Sequence, residues 1–155
     1  IMEPSVLIAD EPTTALDLTV QFEIIKLINQ MRKKYNTSVV IVSHDLNVIA
    51  GIADEIAVMY SGFIVEQAPA EEVLNSPLHP YTAGLFRSRP SYSKERLSEI
   101  SGQPLSLKQR NSMCMFSERC PLKGEGCSNF EMLAHKVSDD HFVRCCAKEM
   151  TKTSA

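Results

Sequence analysis

With 155 residues, 44% of them hydrophobic, the chain is long enough for one domain, or for a partial domain with a small appendage, and apolar enough for a core. Its formal net charge of −3 supplies no electrostatic reason to expect nucleic-acid binding. No apolar run approaches the ~18 residues needed to cross a bilayer and no signal peptide opens the chain, so any membrane association is expected to come through a partner.

The first element is the most informative. Val6-Leu7-Ile8-Ala9 reads as a short buried strand that runs into Asp10-Glu11 and is stopped by Pro12. Such a strand presents two carboxylates at a sheet edge. In a nucleotide site the first acid, Asp10, can hold magnesium, usually through water, and the second, Glu11, can orient an attacking water. A buried strand that happens to end in acids fits these six residues equally well. Thr14-Ala15-Leu16-Asp17 follows, and Asp17 alone reads as a helix N-cap. Ile24, Leu27, Ile28, Met31 and Tyr35 then recur every three to four residues and mark one helical face. Arg32, Lys33 and Lys34 suit the C-terminal end of that helix. Val39-Val40-Ile41-Val42 is an all-apolar strand, as expected where helices cover both sheet faces. Ser43-His44-Asp45-Leu46 closes it, which allows the His44 imidazole to emerge beside Glu11 at the same sheet edge. A lone histidine after a strand is more often a cap or a surface residue.

A second helix is expected through Leu46 to Ala50. Ile56 to Tyr60 and Phe63 to Glu66 flank Ser61-Gly62 and read as a hairpin with a two-residue turn. The stretch from Ala70 to Pro90 should be helical. Glu71-Glu72-Val73-Leu74 starts one short helix, Tyr81 to Phe86 forms another, and His79-Pro80 acts as a breaker between them. The polar stretch from Ser91 to Asn111 reads as a linker and Thr151 to Ala155 as a frayed end. The expected organisation is therefore an α/β region over residues 1–90, a linker over 91–111, a cysteine-rich module over 112–148 and a disordered tail over 149–155.

All five cysteines lie between Cys114 and Cys146. Five residues separate Cys114 from Cys120, six separate Cys120 from Cys127, and seventeen separate Cys127 from Cys145. Disulfides need an oxidising compartment. Structural zinc sites usually pair cysteines two to four residues apart, although His135 and His141 could substitute as zinc ligands. The wider loops suit a bulkier cluster with four thiolate corners.

Taken together and in order, Asp10-Glu11-Pro12, Ala15-Leu16-Asp17 and Ser43-His44-Asp45-Leu46 resemble the Walker B segment, D-loop and switch histidine of the ABC-transporter ATPases. Asp54 to Gly62, Ile64-Val65-Glu66 and Pro77-Leu78-His79-Pro80-Tyr81-Thr82 are similar to segments of the oligopeptide, dipeptide and nickel importer subfamily. The resemblance runs from Glu3 to about Cys146. None of the six glycines precedes a Lys-Ser or Lys-Thr pair at phosphate-loop spacing. A signature segment is missing as well, and Ile1-Met2-Glu3-Pro4 stands roughly where that helix would be ending. The expectation is thus a partial P-loop NTPase domain lacking its N-terminal half, with a small irregular cysteine-rich C-terminal module.

The resemblance implies ATP and magnesium as ligands, Glu11 and His44 as catalytic residues, Asp10 at the magnesium and Asp17 at a head-to-tail interface with a second ABC ATPase subunit. It also implies transmembrane permease subunits as partners, an extracytoplasmic solute-binding protein indirectly, no nucleic acid, and a place on the cytoplasmic face of the membrane. GTPases and kinases fit less well, since neither uses a histidine in the relation that His44 bears to Glu11. Cys114-Met115-Phe116-Ser117-Glu118-Arg119-Cys120-Pro121 is similar to the cysteine segment associated in that subfamily with a four-iron four-sulfur cluster. This implies Cys114, Cys120, Cys127 and Cys145 as ligands, with zinc as the alternative. Ser112-Met113 replaces the usual Pro-Gly, and Cys146 leaves the fourth ligand ambiguous. The implied function is ATP hydrolysis energising an importer of oligopeptides or dipeptides. Standing alone, without a phosphate loop, the chain is expected to be inactive, and the alternative is a non-catalytic metal-cluster and dimerisation module.

Overall fold

The structure, a computed structural model, describes residues 4–88, 100–103, 113–128 and 135–145. The chain divides into two compact units, Ile1–Ala53 and Asp54–Ala155. The readings placed on 91–99, 104–111 and 146–155, Cys146 among them, lie outside the described residues.

The first unit is a strand–helix–strand–helix run. Strand β1 (Val6–Asp10) pairs in parallel with β2 (Ser38–Val42), with Val6 opposite Ser38 and Asp10 opposite Val42. Helix α1 (Leu18–Tyr35) crosses between them. Its N-terminus is closed by Asp17, whose carboxylate accepts from the Val20 amide at 3.0 Å. Its C-terminus ends at Asn36, a left-handed residue at φ 50° that donates its N–H to the Arg32 carbonyl. Arg32, Lys33 and Lys34 fill the last turn, where the helix dipole favours cations. Thr37 ties the start of β2 to the start of β1 through its hydroxyl, 2.9 Å from the Pro4 carbonyl. Helix α2 (Leu46–Ile52) is capped by Asp45.

Burial in this unit differs from expectation. Of the apolar stripe on α1 only Ile28 is buried, while Leu27, Met31 and Tyr35 are exposed. The strands alternate rather than being covered on both faces, and Ile8 is 70% exposed. One sheet face carries the side chains of Val6, Ile8, Val40 and Val42, all exposed.

The second unit is built on a hairpin of β3 (Glu55–Tyr60) and β4 (Phe63–Pro69). Its turn residues, Ser61 and Gly62, both have positive φ (49° and 83°), the two-residue geometry that matches the strand twist. The expected helices follow as α3 (Ala70–Asn75) and α4 (Pro80–Arg87). His79-Pro80 is more than a breaker. Pro80 occupies the first helical turn, where its missing N–H costs nothing, and His79 caps it by accepting from the Tyr81 amide through Nδ1 at 3.0 Å.

Two later strands were not anticipated. β5 (His135–Ser138) and β6 (His141–Val143) form a second hairpin, and β6 adds to β4 to give the sheet order β3-β4-β6-β5. The cysteine segment is therefore not uniformly irregular. Residues 113–128 run through two short 3-10 turns, Ser117–Arg119 and Glu125–Ser128, but 135–143 is regular sheet. The core of the unit includes Val65, Ala68, Val73, Phe116 and Val143. Among the described residues no helix is long and apolar enough to cross a membrane.

Candidate functional site: the Glu11–His44 pair and the cysteine segment

The parallel register of β1 and β2 brings their C-terminal ends level, and the Glu11 amide extends the ladder by donating to the Val42 carbonyl at 2.8 Å. The acids that follow β1 and the histidine that follows β2 consequently meet. His44 Nδ1 lies 2.8 Å from Glu11 Oε1, and the His44 backbone amide donates to the same oxygen at 3.1 Å. The other carboxylate oxygen accepts from the Thr14 hydroxyl at 2.8 Å. A carboxylate can only accept, so His44 Nδ1 carries the hydrogen.

The pairing shifts both groups. The hydrogen bonds from His44 and then Thr14 hold the Glu11 carboxyl below its ordinary range. Glu11 in turn raises the His44 imidazole above its ordinary value, first through the hydrogen bond and then through its charge. The site is open: the His44 side chain is 78% exposed. Asp10, the other acid, ends β1 next to Glu11 and is exposed. Its oxygen donors and position suit a hard divalent cation such as magnesium. Asp17 stands apart from this group as the cap of α1.

Two features were not legible in the sequence. Glu11 sits at φ 48°, a left-handed conformation that a non-glycine residue adopts at a cost. Thr14 belonged to the recognised segment but had no assigned role. Here its hydroxyl fixes the second oxygen of Glu11 while its amide donates to the Glu11 carbonyl at 3.2 Å.

The cysteines lie in the second unit. Cys114 and Cys120 are half-buried, and Cys127 and Cys145 are buried. Burial raises the Cys114 thiol, the Phe116 amide pulls it back, and the charges of Cys127, Cys145 and Cys120 push it further up. Cys120 behaves alike, raised by burial and Cys127 and lowered by the Leu122 amide. The amide two residues further on opposes this rise at both sulfurs without cancelling it. A backbone bond from the Cys114 amide to the Cys127 carbonyl, 3.1 Å, closes the loop between them. Ser117, between the first two cysteines, has a buried hydroxyl with no hydrogen-bond partner.

By donor chemistry this set fits a thiolate-bound centre. Geometrically, the expected metal site is not assembled. Among the described residues no three His, Cys, Asp or Glu side chains are gathered closely enough to hold a metal ion. His141 is also removed from the candidate zinc ligands, because both of its ring nitrogens face carboxylates, Glu66 and Glu72, at 2.9 Å.

The cysteine segment is held by side-chain contacts to Tyr60 of β3, to Tyr81 of α4 and to the backbone at Ile100 and Ser101. Phe116 is 2% exposed and packs against Tyr60 and Tyr81, with ring centroids 5.3 and 5.5 Å away. Arg119 reaches the Ile100 carbonyl at 2.8 Å, the Ser101 carbonyl at 3.1 Å and the Tyr60 hydroxyl at 3.3 Å.

Comparison with known proteins bears directly on this arrangement. The family model described as "Oligopeptide/dipeptide transporter, C-terminal region" matches residues 65–127, from β4 to the third cysteine. The chain is 42% identical over 131 residues to the oligopeptide transport ATP-binding protein OppD of Salmonella typhimurium, covering 83% of this chain and 39% of that protein. It is 43% identical over 129 residues to the OppD protein of Haemophilus influenzae, covering 82% and 40%. With the dipeptide transport ATP-binding protein DppD of Bacillus subtilis it shares 40% identity over 147 residues, covering 94% and 44%. The chain spans about two fifths of the length of these relatives. It belongs to the family of oligopeptide and dipeptide transporter ATP-binding proteins, whose C-terminal region it matches.

Proposed function

We propose that the chain supplies the water-activating half of an ATP-hydrolysing site in an ABC importer of oligopeptides or dipeptides. The observation that carries this reading is the 2.8 Å contact between His44 Nδ1 and Glu11 Oε1 at the shared end of β1 and β2. A carboxylate fixed by Thr14 and His44 is oriented to accept a hydrogen bond from an attacking water. Its depressed pKa keeps it ionised, hence able to accept. Asp10 would hold magnesium, which supplies charge neutralisation at the phosphates when bound. His44 holds Glu11 through Nδ1 and leaves Nε2 for a phosphate oxygen. Asp17 would contact a second ATP-binding subunit across a head-to-tail interface. Permease subunits and, indirectly, an extracytoplasmic solute-binding protein complete the assembly on the cytoplasmic face of the membrane.

The test is phosphate release with Mg-ATP. The 155-residue chain alone is expected to show none, because its glycines form no phosphate loop. In the chain joined to a phosphate loop and signature segment, Glu11→Gln should lower turnover about 100-fold or more while nucleotide still binds. Near-normal turnover in that variant would remove Glu11 from the role.

A second reading concerns the cysteines and rests on their confinement to one segment of the second unit, where the Cys114 amide donates to the Cys127 carbonyl at 3.1 Å. Cys114, Cys120, Cys127 and Cys145 would hold a four-iron four-sulfur cluster, or zinc, making the region a metal-cluster and dimerisation module in its own right. Brown protein on anaerobic purification, with iron and sulfide in about equal amounts, is expected for the cluster. Colourless protein with one zinc per chain would assign the thiols to zinc instead, and a larger iron loss in Cys146→Ser than in Cys145→Ser would move the fourth ligand.

A further inference from the structure

The nucleotide chemistry leaves unused the most deeply buried acid among the described residues. Glu66, on β4, is 0% exposed. An acid at that depth has to be compensated by hydrogen bonds or an opposite charge. Glu66 has three such contacts. Its Oε1 accepts from the Leu78 amide at 2.7 Å and lies 2.9 Å from His141 Nε2, and its Oε2 accepts from the His79 amide at 3.0 Å. On the far side of the imidazole, His141 Nδ1 lies 2.9 Å from Glu72 Oε2 on α3. Carboxylates accept, so for both contacts to be hydrogen bonds the ring donates from both nitrogens.

β4, the turn that opens α4 and the distant strand β6 thus meet at the Glu66 carboxylate, and α3 joins them through His141. The strand is fixed beyond His141 as well. The Arg144 amide donates to the Val65 carbonyl at 2.8 Å, and its Nε donates to the Ile64 carbonyl at 2.9 Å. Cys145 follows immediately. The backbone that leads to this thiol is therefore tied to β4.

We propose that Glu66 and His141 form a buried clasp that couples β6, and the backbone leading from it to Cys145, to the Leu78–His79 turn, so that loosening of β6 is felt at the start of α4. The coupling runs through Glu66: remove His141 and the carboxylate keeps two amides but loses its third partner and its link to Glu72. The clasp does not depend on any ligand at the cysteines or on the ATPase reading.

Amide hydrogen exchange on the 155-residue chain tests it, read at Leu78 and His79. In His141→Gln these two amides should exchange about tenfold faster or more, together with residues 135–145. Faster exchange in 135–145 with Leu78 and His79 unchanged would overturn the coupling, and wild-type exchange throughout would overturn the clasp. Should His141→Gln fail to fold, Glu72→Ala decides, because the Glu72 side chain is half exposed and its removal takes away only the acceptor of His141 Nδ1. It should speed exchange at the same two amides by about threefold, and no change there would overturn the proposal.

Discussion

At the scale of single residues, Glu11 combines strain with fixation. Its φ of 48° is left-handed, a conformation that costs an L-residue roughly 1–2 kcal/mol. Two side chains and one amide nevertheless converge on its carboxylate. Glycine relieves the strain and alanine does not, so Glu11→Gly should be more stable to urea than Glu11→Ala by about 1 kcal/mol. Equal midpoints would show that the left-handed backbone carries no cost. The pair also makes a pH prediction. Glu11 is lowered, so its contribution is present above the usual 4.5 and lost as pH falls through a value below it. His44 is raised, so its contribution is present below the usual 6.5 and lost as pH rises through a value above it. The ion pair therefore outlasts both ordinary values. In an NMR titration His44 should protonate above 6.5, and in Glu11→Gln it should fall back toward 6.5. A His44 midpoint that does not respond to Glu11→Gln would show that the contact does not persist in solution.

At the scale of elements, the sequence was most legible where a pattern is local. The apolar runs before Asp10 and before Ser43 gave β1 and β2, and Ser61-Gly62 gave the hairpin turn. The parallel pairing then followed from an intervening helix, and with it the meeting of Glu11 and His44. Helix α4 shows what a local reading misses. His79-Pro80 signals an interruption, and the structure makes it the start of the helix, with a histidine in the capping role more often filled by Ser, Thr, Asp or Asn. That histidine is buried, and burial drives its pKa down to about 4 despite the opposing charge of Glu66 and a contact to the Arg144 backbone. The ring is kept neutral, with Nδ1 accepting from the Tyr81 amide. A histidine lowered in the folded state binds its proton more readily when unfolded. Its contribution is therefore complete above 6.5 and is lost as pH falls toward 4. Stability to denaturant should drop by up to about 3 kcal/mol across that interval, and His79→Gln should flatten this part of the profile. A wild-type profile with no slope between these pH values would contradict a buried neutral His79.

At the scale of the whole molecule, what the sequence hid was pairing over long separations. Nothing local marks β6 as a neighbour of β4, since Glu66 and Val143 face each other across more than seventy residues. Glu66 itself looked like the polar end of a hairpin strand and proved to be fully buried, because its partners come from the α3–α4 turn and from β6. The same blindness applies to the cysteine segment. Its few large apolar residues suggest a short piece that needs a metal to fold. Within its own unit, however, Met115 and Phe116 are buried, and Arg119 bonds the Ile100 and Ser101 carbonyls and the Tyr60 hydroxyl. Packing against Tyr60, Tyr81 and the Ile100–Ser101 backbone therefore supplies stabilisation that a free-standing module would have to draw from a ligand. Truncating a buried aromatic of this kind costs about 3–5 kcal/mol. Phe116→Ala should lose stability on that scale and expose residues 113–128 to protease. Chelation of any metal held by wild-type protein should leave Phe116 packed and the same residues protected. If chelation alone exposes them while Phe116→Ala does not, the anchor is the ligand and not the aromatic cluster.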